Sequence, residues 1–250
     1  HKGGIDTDHI GWDWVGACGG VFYKGNDHEA TKNCQRLKRW LEIAFKPSPG
    51  TDDFIKADGS SFHHWTHYNG YMYAFTELSH HLYMLHDTKF QINKKAYLFF
   101  RNATYSLLIM CNGQNYANSL AGRRPFQTNL PMSQGAYKKL AKIGGKLLKS
   151  GEADPFLAGA YKRLWPTSPD FPQYEAEKFP RGFWQFNYSP IGVYRQANWV
   201  ATIKGMNKLF WGSEIYPTAN RYGRYQSYGT VEIMYPGGRE KSGFHEHGWD

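Results

Sequence analysis

The chain has 250 residues, 41% of them hydrophobic, enough for one large core or two ordinary ones and far from the composition of a disordered polymer. Thirty Lys and Arg against twenty-one Asp and Glu leave a formal charge of +9, so the summed field attracts polyanions: nucleic acid, anionic lipid or acidic polysaccharide. No apolar run approaches the roughly 20 residues that a spanning helix needs, and Cys18, Cys34 and Cys111, without CxxC spacing, argue against a zinc ribbon or a dense disulfide framework but leave room for one bridge.

The opening stretch HKGGIDTDHIGWDW lacks an initiator Met and the closing FHEHGWD stops without a final element, so a piece of a longer protein is expected. Residues 26–46 read as a helix: Asn26 and Glu29 form a capping box, Cys34, Leu37, Leu41 and Phe45 recur at helical spacing, and Pro47 and Pro49 end it. The segment DGSSFHHWTHYNGYMYAF (58–75) is too polar for a plain core helix. A second helix is predicted over 69–86, with Tyr71, Phe75, Leu78, Leu82 and Leu85 on one face, and a third from an Asn93 cap to Gly113. Ser133 opens a fourth, ending near Ser150, and Asp154-Pro155 starts a short fifth. Beyond LWPTSPDFPQ the pattern turns to alternation in GFWQFNYS, IGVYRQ, NWVATIKG and TVEIMY, which read as strands. The fold class is therefore α+β, with helical hairpins over 1–172 and a β-rich domain over 173–250 that stops before a complete sheet pair.

Three stretches carry chemistry. His63, His64 and His67 include an i, i+4 pair as in zinc helices, but the HExxH glutamate is absent and Gly70 favours a loop, so no metal is assigned. His64 and Tyr71 are better placed as an acid–base pair. A phenol, with an ordinary pKa of about 10, needs cations beside it to ionise. Arg123 and Arg124 of AGRRPF offer them, because an arginine keeps its proton and can clamp a carboxylate. The third stretch, ANRYGRYQSYG (219–229), joins Asn220, Arg221 and Arg224 to three tyrosines, a mixture suited to an anionic, polyhydroxylated ligand. Aromatic residues, 17% of the chain, exceed what a core needs and suit stacking on sugar rings. Two rivals fit less well. The basic residues are spread among Tyr and Gly rather than gathered as in a nucleic-acid binder, and Asp58 and Glu77 have no obvious partner for a hydrolase's paired carboxylates.

Taken in order, HHWTHYNGY, GRRP, NWVATIKG and NRYGRYQSYG resemble the family 8 polysaccharide lyases, most of all those of the chondroitin sulfate ABC type. The resemblance implies an incomplete α/α toroid of helical hairpins followed by antiparallel β-sandwich domains. It also implies β-elimination at a uronic acid of a glycosaminoglycan. In this reading Tyr71 is the base and then the acid, His64 helps to neutralise the uronate carboxylate or serves as base for the other epimer, and Arg123 holds Tyr71 near its phenolate. His63, Trp65, Asn118, Arg124, Asn220, Arg221, Arg224, Trp12 and Trp14 would bind substrate. The family places a glutamate where this chain has Ala219, so either the site works without it, Glu214 substitutes, or Ala219 is an inactivating change. The resemblance implies no required cofactor, with Ca²⁺ or Mg²⁺ binding reserved to sandwich domains beyond this chain. It implies an acidic polysaccharide as partner, no nucleic acid, no membrane span, a monomer, and a secreted or periplasmic location. The alternative is a non-catalytic glycosaminoglycan-binding protein.

Overall fold

The computed structural model describes residues 26–67, 73–122, 132–214 and 229–235. Helix α1 (Asp27–Ala44) begins as expected: the Asn26 side chain accepts from the Glu29 backbone N–H at 2.9 Å, and Asp27 and Glu29 lie at the positive end of the helix dipole. Its buried stripe of Cys34, Leu37, Leu41 and Ala44 follows the helical period. The chain then forms a small hairpin, β1 (Phe54–Ile55) with β2 (Ser61–Phe62), which delivers it to the histidine segment.

Four helices form the body. In α2 (Tyr73–Leu85), Phe75, Leu78, Leu82 and Leu85 are buried; removing one such leucine side chain from a packed site costs about 2–5 kcal/mol. Helix α3 (Lys94–Met110) is capped by Asn93, and α4 (Gln134–Leu148) by Ser133. Helix α5 (Pro155–Leu164) carries its proline in the first turn, behind the Asp154 cap. Helix α4 packs against α2, α3 and α5. Its Gly144 and Gly145 permit the approach: a Cβ there would lie 1.9 Å from the Tyr97 hydroxyl and 2.6 Å from the Ala153 backbone.

Two expectations shift. Helix α3 stops at Met110, short of Gly113, because β3 (Cys111–Asn112) turns back onto β4 (Asn115–Tyr116) through Gly113, whose φ of +59° suits glycine. A 3-10 turn then runs over Asn118–Leu120. Cys34 and Cys111 are free, buried thiols, and Cys18 lies outside the described residues.

The alternating segments form one antiparallel sheet in the order β5 (Gly182–Phe186), β6 (Ile191–Gln196), β7 (Trp199–Lys204), β8 (Thr230–Met234). Trp184, Val193, Thr202 and Glu232 stand in one register row across the four strands. The covered face is not purely apolar, for it also carries Arg195 and Lys204, both fully buried. The other face shows Phe183, Tyr194, Ile203, Val231 and Ile233 exposed.

Those inward polar groups tie the sheet to the helices. Arg195 donates to the carbonyls of Ile109 (2.8 Å), Leu108 (3.3 Å) and Cys111, capping the negative end of α3. Burial pulls its pKa down to about 10, which leaves the charge in place at neutral pH. The Glu232 carboxylate accepts from the backbone N–H groups of Asn118 (3.1 Å) and Ser119 (2.9 Å) at the head of the 3-10 turn. Asp58, without a partner in the sequence reading, accepts from the Tyr188 N–H at 3.0 Å, and Ser189 donates to Ser60 at 2.8 Å.

Candidate active site

His63 to Thr66 form a tight turn. The His63 N–H donates to the Thr66 carbonyl at 2.9 Å and the Thr66 N–H returns to His63 at 3.1 Å, while the central residues His64 and Trp65 have φ of +48° and +63°. This is the sign pattern of a type I′ turn, a place that normally goes to Asn and Gly. Two L-residues with side chains in the left-handed region cost roughly 1–2 kcal/mol each. Such a turn persists only where its surroundings hold it, and its effect is to turn two large side chains outward from a well-anchored base.

His64, the more exposed histidine, meets an acid: its Nδ1 is 3.1 Å from Glu214 Oε2. The pairing sets a carboxylate against one edge of the ring, a placement that favours the imidazolium form when the ring takes a proton. Behind it, buried His63 sits 3.0 Å from Asp53. The two imidazoles stack, with centroids 3.7 Å apart and 28° from parallel. The arrangement is a double layer of histidine–carboxylate pairs, with His64 the exposed ring and His63 the buried one.

His67 does different work. It is fully buried, and its Nε2 is 2.6 Å from the Tyr116 hydroxyl, which is 3.3 Å from Met110 Sδ. Burial, helped by the charge of Lys204, holds its pKa well below the usual value, so it is neutral. Burial also keeps Tyr116 a phenol. His67 is therefore part of the floor of the site, and among the described residues no group of three or more His, Cys, Asp or Glu side chains converges as metal ligands would.

Trp65 stacks on Trp211, centroids 6.0 Å apart and 21° from parallel, and the Trp211 N–H donates to the Trp65 carbonyl at 2.6 Å. Both rings are about half exposed, and they form an aromatic ledge beside His64. Trp211 was missed in the sequence reading; its place three residues before Glu214 was the available signal. Ser213 donates to the Gly122 carbonyl at 2.8 Å, which brings the segment ending at Glu214 against the residue preceding Arg123. Asn118 is buried close by in sequence, its backbone N–H on Glu232 and its Oδ1 without a hydrogen-bond partner among the described residues.

Of the sequence-predicted site, the structure thus brings His63, His64, Trp65 and Glu214 together. Tyr71, Arg123, Arg124, Ala219, Asn220, Arg221, Arg224, Trp12 and Trp14 lie outside the described residues. The carboxylate beside His64 is Glu214, which the sequence reading had only as a substitute for an acid expected at position 219.

Comparison with known proteins gives a consistent result. The family profile described as "Lyase, catalytic" matches residues 14–170. A chondroitin sulfate ABC exolyase of Proteus vulgaris is 32% identical over 223 residues, 86% of this chain and 22% of the relative. A chondroitin sulfate ABC endolyase of the same organism is 32% identical over 205 residues, 81% of this chain and 20% of the relative. The chain spans about a fifth of the length of these curated relatives. Among solved structures, the Streptomyces coelicolor A3 chondroitin AC lyase in complex with chondroitin sulphate superposes with a TM-score of 0.69 at 15% identity, over 94% of this chain and 36% of that one. That likeness concerns the fold alone.

Proposed function

We propose a function from one premise: the chain belongs to the polysaccharide lyase catalytic-domain family of the chondroitin sulfate ABC type. On this reading the protein cleaves uronic-acid-containing glycosaminoglycans of the chondroitin and dermatan class by β-elimination, and the described helices and sheet are part of an incomplete α/α toroid followed by the start of a β-sandwich. The domain division near residue 172 is part of the same proposal, supported by helices that end at Leu164 and strands that begin at Gly182.

The chemical obstacle is the weak acidity of a C5 proton beside an ionised carboxylate. Removing it places a second negative charge next to the first, so the carboxylate must be neutralised before or during transfer. His64 is suited to this: with Glu214 on Nδ1, an imidazolium is stabilised and its other N–H can donate to the uronate. Tyr71, seven residues on, would take the C5 proton as phenolate, with Arg123 lowering the cost of that charge. The C5 electron pair forms the C4–C5 double bond, the C4–O bond breaks, and the leaving oxygen takes the proton from Tyr71. With an iduronate epimer, whose C5 hydrogen lies on the opposite face, neutral His64 would be the base. Trp65 and Trp211 would stack on a neighbouring sugar.

The observation that carries this reading is the His64–Glu214 pair on a strained, solvent-facing turn. It also removes the motive for a purely binding protein, because an acid stands at the histidine without Glu at position 219. The test is to incubate the full-length protein with chondroitin sulfate and follow absorbance at the ultraviolet edge, where the new double bond absorbs. Product in the parent and none in Tyr71→Phe is expected; binding of the polymer without any absorbance change would overturn the reading.

A further inference from the structure

Lys204, at the end of β7, is 1% exposed, yet no carboxylate pairs with it among the described residues. Taking an ammonium out of water without a counter-charge opposes folding, and a methionine of similar length would fill the slot without that cost. Its Nζ instead reaches two groups at the end of the histidine turn: the Thr66 hydroxyl at 3.3 Å and the His67 carbonyl at 3.4 Å. The Thr66 hydroxyl is also 3.3 Å from the Gly212 carbonyl, two residues before Glu214. The amine therefore holds the end of the histidine turn directly, and reaches the segment that supplies Glu214 through the Thr66 hydroxyl. Its platform is firm, since β7 pairs with β6 on one side and β8 on the other.

We infer that Lys204 is a positioning residue for the lyase reaction: it holds the turn containing His64 and Trp65 in its unfavourable left-handed form, and fixes where the chain departs toward Tyr71. The inference rests on the lyase reading for its effect on turnover, and on the turn geometry for its effect on structure. Lys204 touches no reacting atom. Burial lowers its pKa to about 7, but an ammonium has three N–H groups and a neutral amine two, so both acceptors stay served in either form. The hold is mechanical and does not depend on the charge.

The test compares Lys204→Met and Thr66→Val with the parent in the full-length protein, reading kcat and KM on chondroitin sulfate, Tm, and backbone amide exchange across residues 63–67. For Lys204→Met the expected result is a fall in kcat of about tenfold or more, KM within about twofold, a Tm no lower than the parent's, and faster exchange at Thr66. Thr66→Val, which removes one of the two acceptors, should show a smaller kcat loss of the same kind. Parental kcat in Lys204→Met, or a kcat loss that comes with a lower Tm, overturns the inference. If the parent itself makes no unsaturated product, the lyase reading falls; exchange at Thr66 then decides on Lys204 alone, and parental exchange in Lys204→Met overturns it.

Discussion

Replacing Glu214 by Gln keeps the size and an acceptor oxygen but removes the charge facing His64. At 3.1 Å, two unit charges attract by about 5 kcal/mol at an effective dielectric near 20. The side chains are 42% and 18% exposed, so solvent screens much of that. A charge-assisted hydrogen bond is worth about 1.5–3 kcal/mol, and this is the fitting scale for a half-open pair. If the imidazolium forms as the uronate is neutralised, the loss falls on the transition state and kcat drops roughly 10- to 150-fold, at 1.4 kcal/mol per decade. Glu214→Ala, which also frees the ring to rotate, should be slower still. The assay is initial-rate absorbance of the unsaturated product at saturating chondroitin sulfate, with circular dichroism as a check on folding. Glu214→Gln within about twofold of the parent, alongside an inactive His64→Ala, would refute the idea that the carboxylate supports charge on His64.

Two further outcomes follow from the buried cations. Arg195→Met leaves the carbonyls of Leu108, Ile109 and Cys111 without their donor and should lower unfolding free energy by about 2–4 kcal/mol in urea titration; a change under about 0.5 kcal/mol would show that the cap is dispensable. For Lys204, the folded pKa of about 7 lies below the ordinary value of 10.5, so the unfolded chain binds the extra proton between these pH values. Its penalty is complete below pH 7 and fades as pH rises toward 10.5, by up to roughly 1.4 kcal/mol per pH unit. The stability of Lys204→Met relative to the parent should therefore be greatest near pH 6 and shrink by pH 9, and a difference independent of pH would contradict it.

The regular elements were legible because their causes are local. Asn26, Asn93, Ser133 and Asp154 each cap the helix that the sequence assigned to them, and β5 to β8 coincide with the alternating runs. The site was less legible. Nothing in His64-Trp65 announces a turn with two positive φ values, since the usual Asn-Gly signal is absent. Arg195 and Lys204 fall in the inward phase of their strands, and only their distant partners reveal why charged residues are buried there. Glu214 was visible as an acid, but its partner lies 150 positions earlier, and no spacing rule links residues that far apart.

That separation also matters during synthesis. His64 leaves the ribosome long before Glu214, and at roughly 5–20 residues per second the gap is about 8–30 s. For that interval the histidine turn exists without Trp211, Glu214, Lys204 or the Gly212 carbonyl against it. The nascent helical portion thus carries the His64 turn before the residues that brace it exist. The turn gains its full set of contacts only after β7 and the 211–214 segment have been made.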